Sequence, residues 1–415
     1  MLTTQISATM PKRCVRLVGF VLMLLISGTV ALVLTGQSPS NEAVLPFTIN
    51  ISDDTLSDLQ VRIHSTRFPD EIPNSDWDYG TNRTYLQELV KYWQEEFDWR
   101  AQEQRLNKFN QYKTNINGLD IHFIHQRSPH EDAMPLLLLN GWPSSIDEYS
   151  KVTGPLTDPV RYGGSADHAF HVVIPSMPGY GFSDKPRTSG FDTQRMSEFW
   201  VTLMSRLGYT KYGTHASDWG SGVANWLARK DAEHMVGLHL IGCEGVFRSA
   251  VPLGKPTDME VDGFGYVEIQ STKVQTIGYG LADSPVGLAA WIIEKYHGWS
   301  DHDGNIEHTY TKDELLTNIM IYWLTNSITS ASRLYYESRH GTPRSTDPIT
   351  IPVGCAGFVE RYDQRARTDD EARTAAEQRY NIVRWTEMPR GGHFPALEQP
   401  DLWLDDVRAF FADLR

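Results

Sequence analysis

The stretch THASDWGSG, residues 214–222, lies between an apolar segment and one with helical periodicity. This order predicts a strand, a sharp turn and a helix, with the small residues Ala216 and Gly220 two positions on either side of Asp218. Small neighbours let the backbone turn tightly enough to raise one side chain above a sheet, as in a nucleophile elbow. An aspartate there predicts a carboxylate nucleophile that forms an alkyl ester with a saturated, electrophilic carbon, as in an epoxide or alkyl halide. The alternative is a turn aspartate that caps the helix.

The composition describes a globular protein that avoids nucleic acid. The chain has 415 residues, of which 40% are hydrophobic, and its 52 acidic against 38 basic residues give a net charge of -14. A negative surface repels phosphate backbones, so nucleic acid is not expected as a partner. The three cysteines form no CxxC or zinc-like pattern, and they indicate neither a disulfide framework nor a structural metal.

An uncharged apolar run covers residues 17–34 and follows several positively charged residues. At about 1.5 Å per residue it nearly crosses a hydrocarbon core of about 30 Å. No clear cleavage site follows, so residues 1–43 are predicted to carry an uncleaved membrane anchor, with a cleaved signal as the alternative. The charge distribution places the catalytic part in the lumen of the endoplasmic reticulum or secretory pathway, or outside the cell if the segment is cleaved.

The region from residue 44 to 130 is predicted to be an N-terminal packing domain. Helical patterns occur near residues 52–63 and 84–97, and the region is rich in aromatic residues. Residues 114–125 alternate around an Asn-Gly turn and predict a β-hairpin.

The remainder, residues 131–415, alternates between apolar strands and helical patterns. The predicted strands cover residues 135–139, 171–174, 211–215, 237–242, 348–353 and 381–387. Such alternation predicts an α/β fold whose mostly parallel sheet binds ligands at the carboxyl ends of its strands. Helical segments replace the alternation between about residues 247 and 346, including patterns at 287–299 and 313–336. We expect this insertion to form a helical cap over the site.

An ester on Asp218 would have to be hydrolysed by activated water. His393, flanked by Gly391 and Gly392 after the last strand, is the candidate base. Backbone N–H groups of the loop at Gly141 and Trp142, and that of Trp219, could hold the oxyanion. Tyrosine hydroxyls in the cap would suit an epoxide oxygen that becomes an alkoxide.

Seven motifs in this order resemble those of the α/β-hydrolase-fold epoxide hydrolases, in particular the microsomal type with its N-terminal domain and membrane anchor. The resemblance covers residues 46–414. The motifs are SDWDYG at 75–80, DWR at 98–100, GWP at 141–143, PGYGFS at 178–183, DWGS at 218–221, DSPVGL at 283–288 and RGGHF at 390–394. The resemblance implies Asp218 as nucleophile, His393 as base, and no cofactor or metal.

The two cap tyrosines of that family match Tyr266 and Tyr335, and Tyr336 is the rival for the second role. The chain departs from the family pattern at Asn140, where the oxyanion loop usually begins with histidine. Because the oxyanion donors are backbone groups, this exchange is expected to tune the loop and the substrate pocket.

The acid that orients His393 is predicted to be Glu360, with Asp363 as the alternative. The family usually places this acid beyond a Phe-Pro pair, and the proline is missing here. The sequence therefore predicts an epoxide hydrolase that converts an apolar epoxide to a diol. A haloalkane dehalogenase-like hydrolase and a catalytically weak relative that binds a lipophilic ligand are the alternatives.

Overall fold

A sheet of nine strands runs through the computed structural model, which describes residues 42–243, 258–358 and 369–415. The strands are β1 (Val44–Phe47), β2 (Gln111–Ile116), β3 (Leu119–Gln126), β4 (Met134–Leu139), β5 (Phe170–Pro175), β6 (Tyr212–Ala216), β7 (Met235–Ile241), β8 (Ile349–Gly357) and β9 (Tyr380–Glu387). Their order is β1-β2-β3-β5-β4-β6-β7-β8-β9, antiparallel from β1 to β5 and parallel from β5 to β9. The predicted α/β-hydrolase architecture is confirmed.

Helices cover both faces of this sheet and build the insertion above it. In the described ranges they are α1 (Asp53–His64), α2 (Arg83–Glu95), α3 (Trp99–Leu106), α4 (Ser150–Thr157), α5 (Thr193–Arg206), α6 (Asp218–Lys230), α7 (Asp258–Thr272), α8 (Val274–Asp283), α9 (Pro285–Trp299), α10 (Lys312–Leu324), α11 (Ile328–His340), α12 (Asp369–Glu377), α13 (Pro395–Glu398) and α14 (Pro400–Ala412).

The N-terminal region shares the main sheet. The predicted hairpin is confirmed as β2 and β3, joined through Asn117 and Gly118 at φ angles of 51° and 84°. These left-handed conformations suit an Asn-Gly turn. β1 extends the sheet beyond β2, and Asn41–Arg415 form one compact unit. The boundary near residue 130 stays a prediction.

The helical segment predicted at residues 313–336 is two helices, so that prediction is wrong. α10 ends at Leu324 and α11 begins at Ile328, with Asn326 between them at a φ of 48°. Asparagine tolerates this left-handed conformation, which ends an α-helix. The break lets α10 and α11 present separate faces to the site below.

Cys243 and Cys355 form a disulfide, with their Cα atoms 5.6 Å apart. The expectation that the cysteines form no disulfide is therefore wrong. The two residues are 112 positions apart in the chain, and they become neighbours because β7 pairs in parallel with β8. The bridge joins the end of β7 to β8 at the edge where ligands are expected.

Within the described ranges, no helix has both the length and the apolar character to cross a bilayer. The apolar run predicted as an anchor, residues 17–34, lies outside those ranges.

Candidate active site

Asp218 stands at the turn from β6 into α6, with a left-handed φ of 48°. A Cβ on Gly220 would lie 2.2 Å from the carbonyl oxygen of Leu139, and one on Gly141 would lie 2.0 Å from Asp218 Oδ1. Larger residues cannot occupy either position without moving the loop. The turn therefore has the tight packing that a nucleophile elbow requires.

The Asp218 carboxylate faces groups outside its own helix. Its Oδ1 accepts a hydrogen bond from the Trp142 N–H at 2.8 Å, and its Oδ2 lies 3.5 Å from His393 Nε2. The side chains of Asp218 and His393 are only 8% and 10% exposed. Helix α6 has no side-chain cap, so the capping interpretation does not match this geometry.

Two side chains of α10 hold the loop that follows Trp142. Asn318 of α10 donates to the carbonyl oxygen of Pro143 at 2.7 Å, and the Tyr322 hydroxyl donates to that of Ser144 at 2.7 Å. Asn140 is buried, and its amide donates to the Gly141 carbonyl at 3.3 Å. The Asn140 side chain thus braces the loop that presents the Trp142 N–H.

Tyr266 and Tyr335 reach the site from α7 and α11. The Tyr266 ring stacks on Trp142 with centroids 5.2 Å apart, and the Tyr335 ring meets the edge of Trp219 at 4.6 Å. The two tyrosine rings are 5.8 Å apart. Burial raises the pKa of the Tyr335 phenol well above its ordinary value, so this group keeps its proton and can donate.

Tyr336, the rival for the second role, points away from this cluster. It is 38% exposed and its ring stacks on His340 at 4.1 Å. Tyr335 is 1% exposed, and the charge of Asp218 acts on its phenol. The geometry therefore favours Tyr335.

Comparisons with known proteins identify the family. Residues 44–149 match the family described as epoxide hydrolase N terminus, and residues 134–262 match the alpha/beta hydrolase fold. Epoxide hydrolase 1 of Sus scrofa is 35% identical over 408 residues, which cover 89% of this chain and 89% of that protein. The chain belongs to the epoxide hydrolases.

Solved epoxide hydrolases have the same fold. The crystal structure of juvenile hormone epoxide hydrolase from Bombyx mori has a TM-score of 0.79 at 31% identity, covering 90% of this chain and 94% of that chain. The structure of Aspergillus niger epoxide hydrolase has a TM-score of 0.77 at 31% identity, with coverage of 91% and 98%. The predicted reaction class, epoxide hydrolysis, is confirmed.

Glu398 holds the loop of this epoxide hydrolase that carries His393, and sequence reasoning missed it. One carboxylate oxygen accepts from the N–H groups of Gly392 and Asp301 at 2.8 and 2.9 Å, and the other accepts from that of Phe394 at 2.8 Å. Glu398 therefore forms hydrogen bonds with the residues on both sides of His393 and links them to the segment after α9. Its position five residues after His393 was the one available signal.

The predicted acid partners, Glu360 and Asp363, lie outside the described residues. β8 ends at Gly357, shortly before them. Within the described ranges, no group of three or more histidine, cysteine, aspartate or glutamate side chains could hold a metal ion.

Proposed function

We propose that this epoxide hydrolase opens an apolar epoxide to a diol through an ester on Asp218. The observation that carries the proposal is the Asp218 carboxylate, which lies between the Trp142 N–H at 2.8 Å and His393 Nε2 at 3.5 Å. An oxyanion donor stands on one side of this carboxylate and a general base on the other. Ester formation and ester hydrolysis need these two groups.

In the first step, an Asp218 oxygen forms a bond to an epoxide carbon while the bond from that carbon to the epoxide oxygen breaks. The hydroxyls of Tyr266 and Tyr335 donate to the departing oxygen, which takes up a proton and becomes the first hydroxyl of the product. The buried position of Tyr335 and the stacking of Tyr266 on Trp142 support these roles.

In the second step, His393 takes a proton from water, and the resulting hydroxide attacks the carbonyl carbon of the ester. The N–H groups of Trp142 and Trp219 stabilise the oxyanion, with Asn140 and Gly141 shaping that loop. Collapse of the intermediate releases the diol and restores the carboxylate. No cofactor or metal takes part.

The acid that orients the His393 imidazole is assigned to Glu360, with Asp363 as the alternative. An acid behind the base fixes its tautomer and stabilises the imidazolium. Both residues follow β8 in the chain order that the fold requires of this group, after the nucleophile and before the base.

The walls of the site support an apolar substrate. Five aromatic rings pack against one another beside Asp218, and these are Trp142, Trp219, Tyr266, Trp299 and Tyr335. These rings favour an aryl or alkyl epoxide, because apolar surface does not compensate a charged group for the water that it loses.

We further propose that residues 1–43 attach the protein to a membrane of the endoplasmic reticulum or secretory pathway, and that cleavage there would secrete it. The disulfide between Cys243 and Cys355 supports this location, because disulfides persist in oxidising compartments. Deletion of residues 1–43 should move the protein from the membrane fraction to the soluble fraction. Unchanged membrane attachment would contradict the proposal.

Intact mass spectrometry tests the reaction. His393→Gln should allow ester formation and block its hydrolysis, so incubation with a panel of aryl and alkyl epoxides should add the mass of one epoxide, mapped to Asp218. A matched exposure to alkyl chlorides should leave the mass unchanged. An adduct on another residue, or none from any epoxide on the folded protein, would contradict the proposal.

A further inference from the structure

Glu148 is a buried carboxylic acid beside the catalytic residues, and the proposed reaction does not use it. It lies in the short 3-10 helix Ile146–Tyr149, just after the oxyanion loop, and is 3% exposed. Ser217, the residue before Asp218, donates its hydroxyl to Glu148 Oε1 at 3.4 Å. Glu148 is therefore attached to the elbow itself.

Charged and titratable groups from several elements face this carboxyl group. His393 favours its ionisation and Asp218 opposes it. Among the residues that the structure describes, titratable groups on its own helix and on α9 and α10 also lie near it, and these are Asp147, Tyr149, Tyr296 and Tyr322. Asp147 is paired with Arg105, and burial raises the pKa of each of the three phenols well above its ordinary value.

Burial and the Asp218 charge disfavour an ionised Glu148. Burial is the larger effect, and together they raise the pKa of Glu148 to about 7 against the opposing influence of Ser144, Ser217 and His393. Two carboxylates that share a buried site resist being ionised together. Formation of an ester on Asp218 removes its negative charge, and with it the repulsion that Glu148 experiences.

We propose that Glu148 is a charge-balancing residue of the site, which holds a proton while Asp218 is a carboxylate and gives it up once Asp218 is esterified. The ionised Glu148 then stabilises the imidazolium that His393 forms when it takes a proton from water. Glu148 acts through His393 and does not touch the substrate, so it is a positioning residue. This inference rests on the proposed function of Asp218 and His393.

The proton balance closes over one turnover. In the first step the epoxide oxygen gains a proton from a tyrosine, Glu148 releases its proton to solvent, and the tyrosine regains one from solvent. In the second step water supplies one hydrogen to the second hydroxyl and releases one proton, which returns to Glu148 as Asp218 becomes a carboxylate again. The negative charge of the site thus passes from Asp218 to Glu148 and back.

Glu148→Gln tests this, because glutamine has the shape of the protonated acid and cannot ionise. In single turnovers with an aryl epoxide, ester formation should stay within about twofold of wild type. Ester hydrolysis should slow by about tenfold or more, which corresponds to about one pKa unit of lost charge stabilisation. The pH dependence of ester hydrolysis in the variant should also lack the ionisation step that belongs to Glu148.

Asp147→Asn is the matched control on the same helix. Arg105 holds Asp147 through two contacts of 2.8 Å, so this variant disturbs the helix without removing Glu148. It should lower stability and leave the ratio of the two rates unchanged. Equal slowing of both steps in Glu148→Gln, or the same change of ratio in Asp147→Asn, would overturn the inference.

Infrared difference spectroscopy of wild-type protein provides a measurement without a variant. Rapid mixing with epoxide, using protein labelled in its glutamate carboxyl carbons, should show loss of one protonated carboxyl band as the ester appears. If the ester forms without this loss, the role proposed for Glu148 is contradicted, while the proposed function of Asp218 is not. A wild-type protein that forms no ester would contradict the proposed function as well.

Discussion

Two clusters of histidine and aspartate include residues in or just after β6, and they differ in the distances between their polar atoms. The upper cluster is Asp218 with His393, whose nearest polar atoms are 3.5 Å apart. The lower one begins at His215, three residues before Asp218, and continues through His239 to Asp406 with separations of 2.8 and 2.9 Å. The proposed reaction uses only the upper cluster.

The lower cluster has a single direction of hydrogen bonding. Trp403 donates from its indole N–H to His215 Nε2 at 3.2 Å, and an indole can only donate. His215 must therefore carry its proton on Nδ1 and donate to His239 Nδ1, and His239 must donate from Nε2 to Asp406. Burial holds the pKa of His215 well below its ordinary value.

Under the function proposed above, the same residue types stabilise the fold in the lower cluster and carry out the reaction in the upper one. In the lower cluster each ring nitrogen has one fixed partner. The protonation states therefore cannot change without breaking one of the hydrogen bonds. In the upper cluster the carboxylate keeps one strong backbone partner and a more distant imidazole. The 3.5 Å separation in the upper cluster is longer than both separations in the lower one.

Asp218→Asn breaks the upper cluster and should have the largest effect. Loss of the nucleophile should lower kcat for epoxide hydrolysis by at least about a thousandfold. Stability should change by less than about 1 kcal/mol, since asparagine also tolerates the left-handed φ at this turn. Steady-state kinetics and urea unfolding measure the two quantities, and residual activity near that of wild type would contradict the role.

Asp406→Asn is the matched change in the lower cluster. Asp406 also accepts hydrogen bonds from Arg384 and Thr386. Burial acts to raise the pKa of Asp406, but these bonds and the one from His239 lower it to about 2. Loss of this buried charge should lower the free energy of unfolding by about 3 kcal/mol. The kcat of the folded protein should stay within about threefold. A large loss of kcat at unchanged stability would reverse the assignment of the two clusters.

Tyr266→Phe sharpens the description of the upper cluster. Loss of one donor to the epoxide oxygen should slow ester formation by about a hundredfold, which is typical for an oxyanion donor. Hydrolysis of an ester already formed should be unaffected. Stopped-flow single turnovers separate the two steps, with Tyr336→Phe as the control that changes neither. Equal effects of the two variants would contradict the role of Tyr266.

The buried histidines predict a graded loss of stability in acid. Burial lowers the pKa of His122 to about 3 and that of His215 well below its ordinary value. In the unfolded chain these histidines have a pKa near 6.5, so they take up protons as the pH falls below that value. In the folded protein they stay neutral over the same range. Below about pH 6.5 the free energy of unfolding should fall by up to about 1.4 kcal/mol per pH unit for each of them.

Urea unfolding at about pH 7.5, 6 and 5 measures this slope. His122→Gln should reduce the slope of the unfolding free energy against pH by the contribution of one histidine, because it eliminates one group that titrates only in the unfolded chain. A free energy of unfolding that is flat across this range would show that these histidines are protonated in the folded protein.

Local sequence signals were sufficient for every strand except β1, and they marked both Asp218 and His393, which the structure brings together. The small residues around Asp218 and the glycines before His393 mark tight turns, and a turn depends on neighbours in the chain. The apolar run at β4 likewise predicts a buried strand, and in the structure its residues from Leu136 to Leu139 are all buried.

Features that depend on distant neighbours were missed. His215 and Asp406 are 191 positions apart by number, and nothing local marks either as part of a chain. Cys243 meets Cys355 only through strand pairing, and Glu148 gains its character from burial beside Asp218. The break at Asn326 has a local cause, but an apolar helical pattern on both sides concealed it.

One turnover in oxygen-18 water tests the central claim, an ester on Asp218 that water hydrolyses at its carbonyl carbon. With protein in excess over an epoxide, the diol of the first turnover should contain no label, and peptide mass spectrometry should find one labelled oxygen in Asp218. Label in the first diol, with none in Asp218, would mean that water attacks the epoxide directly and would contradict the claim.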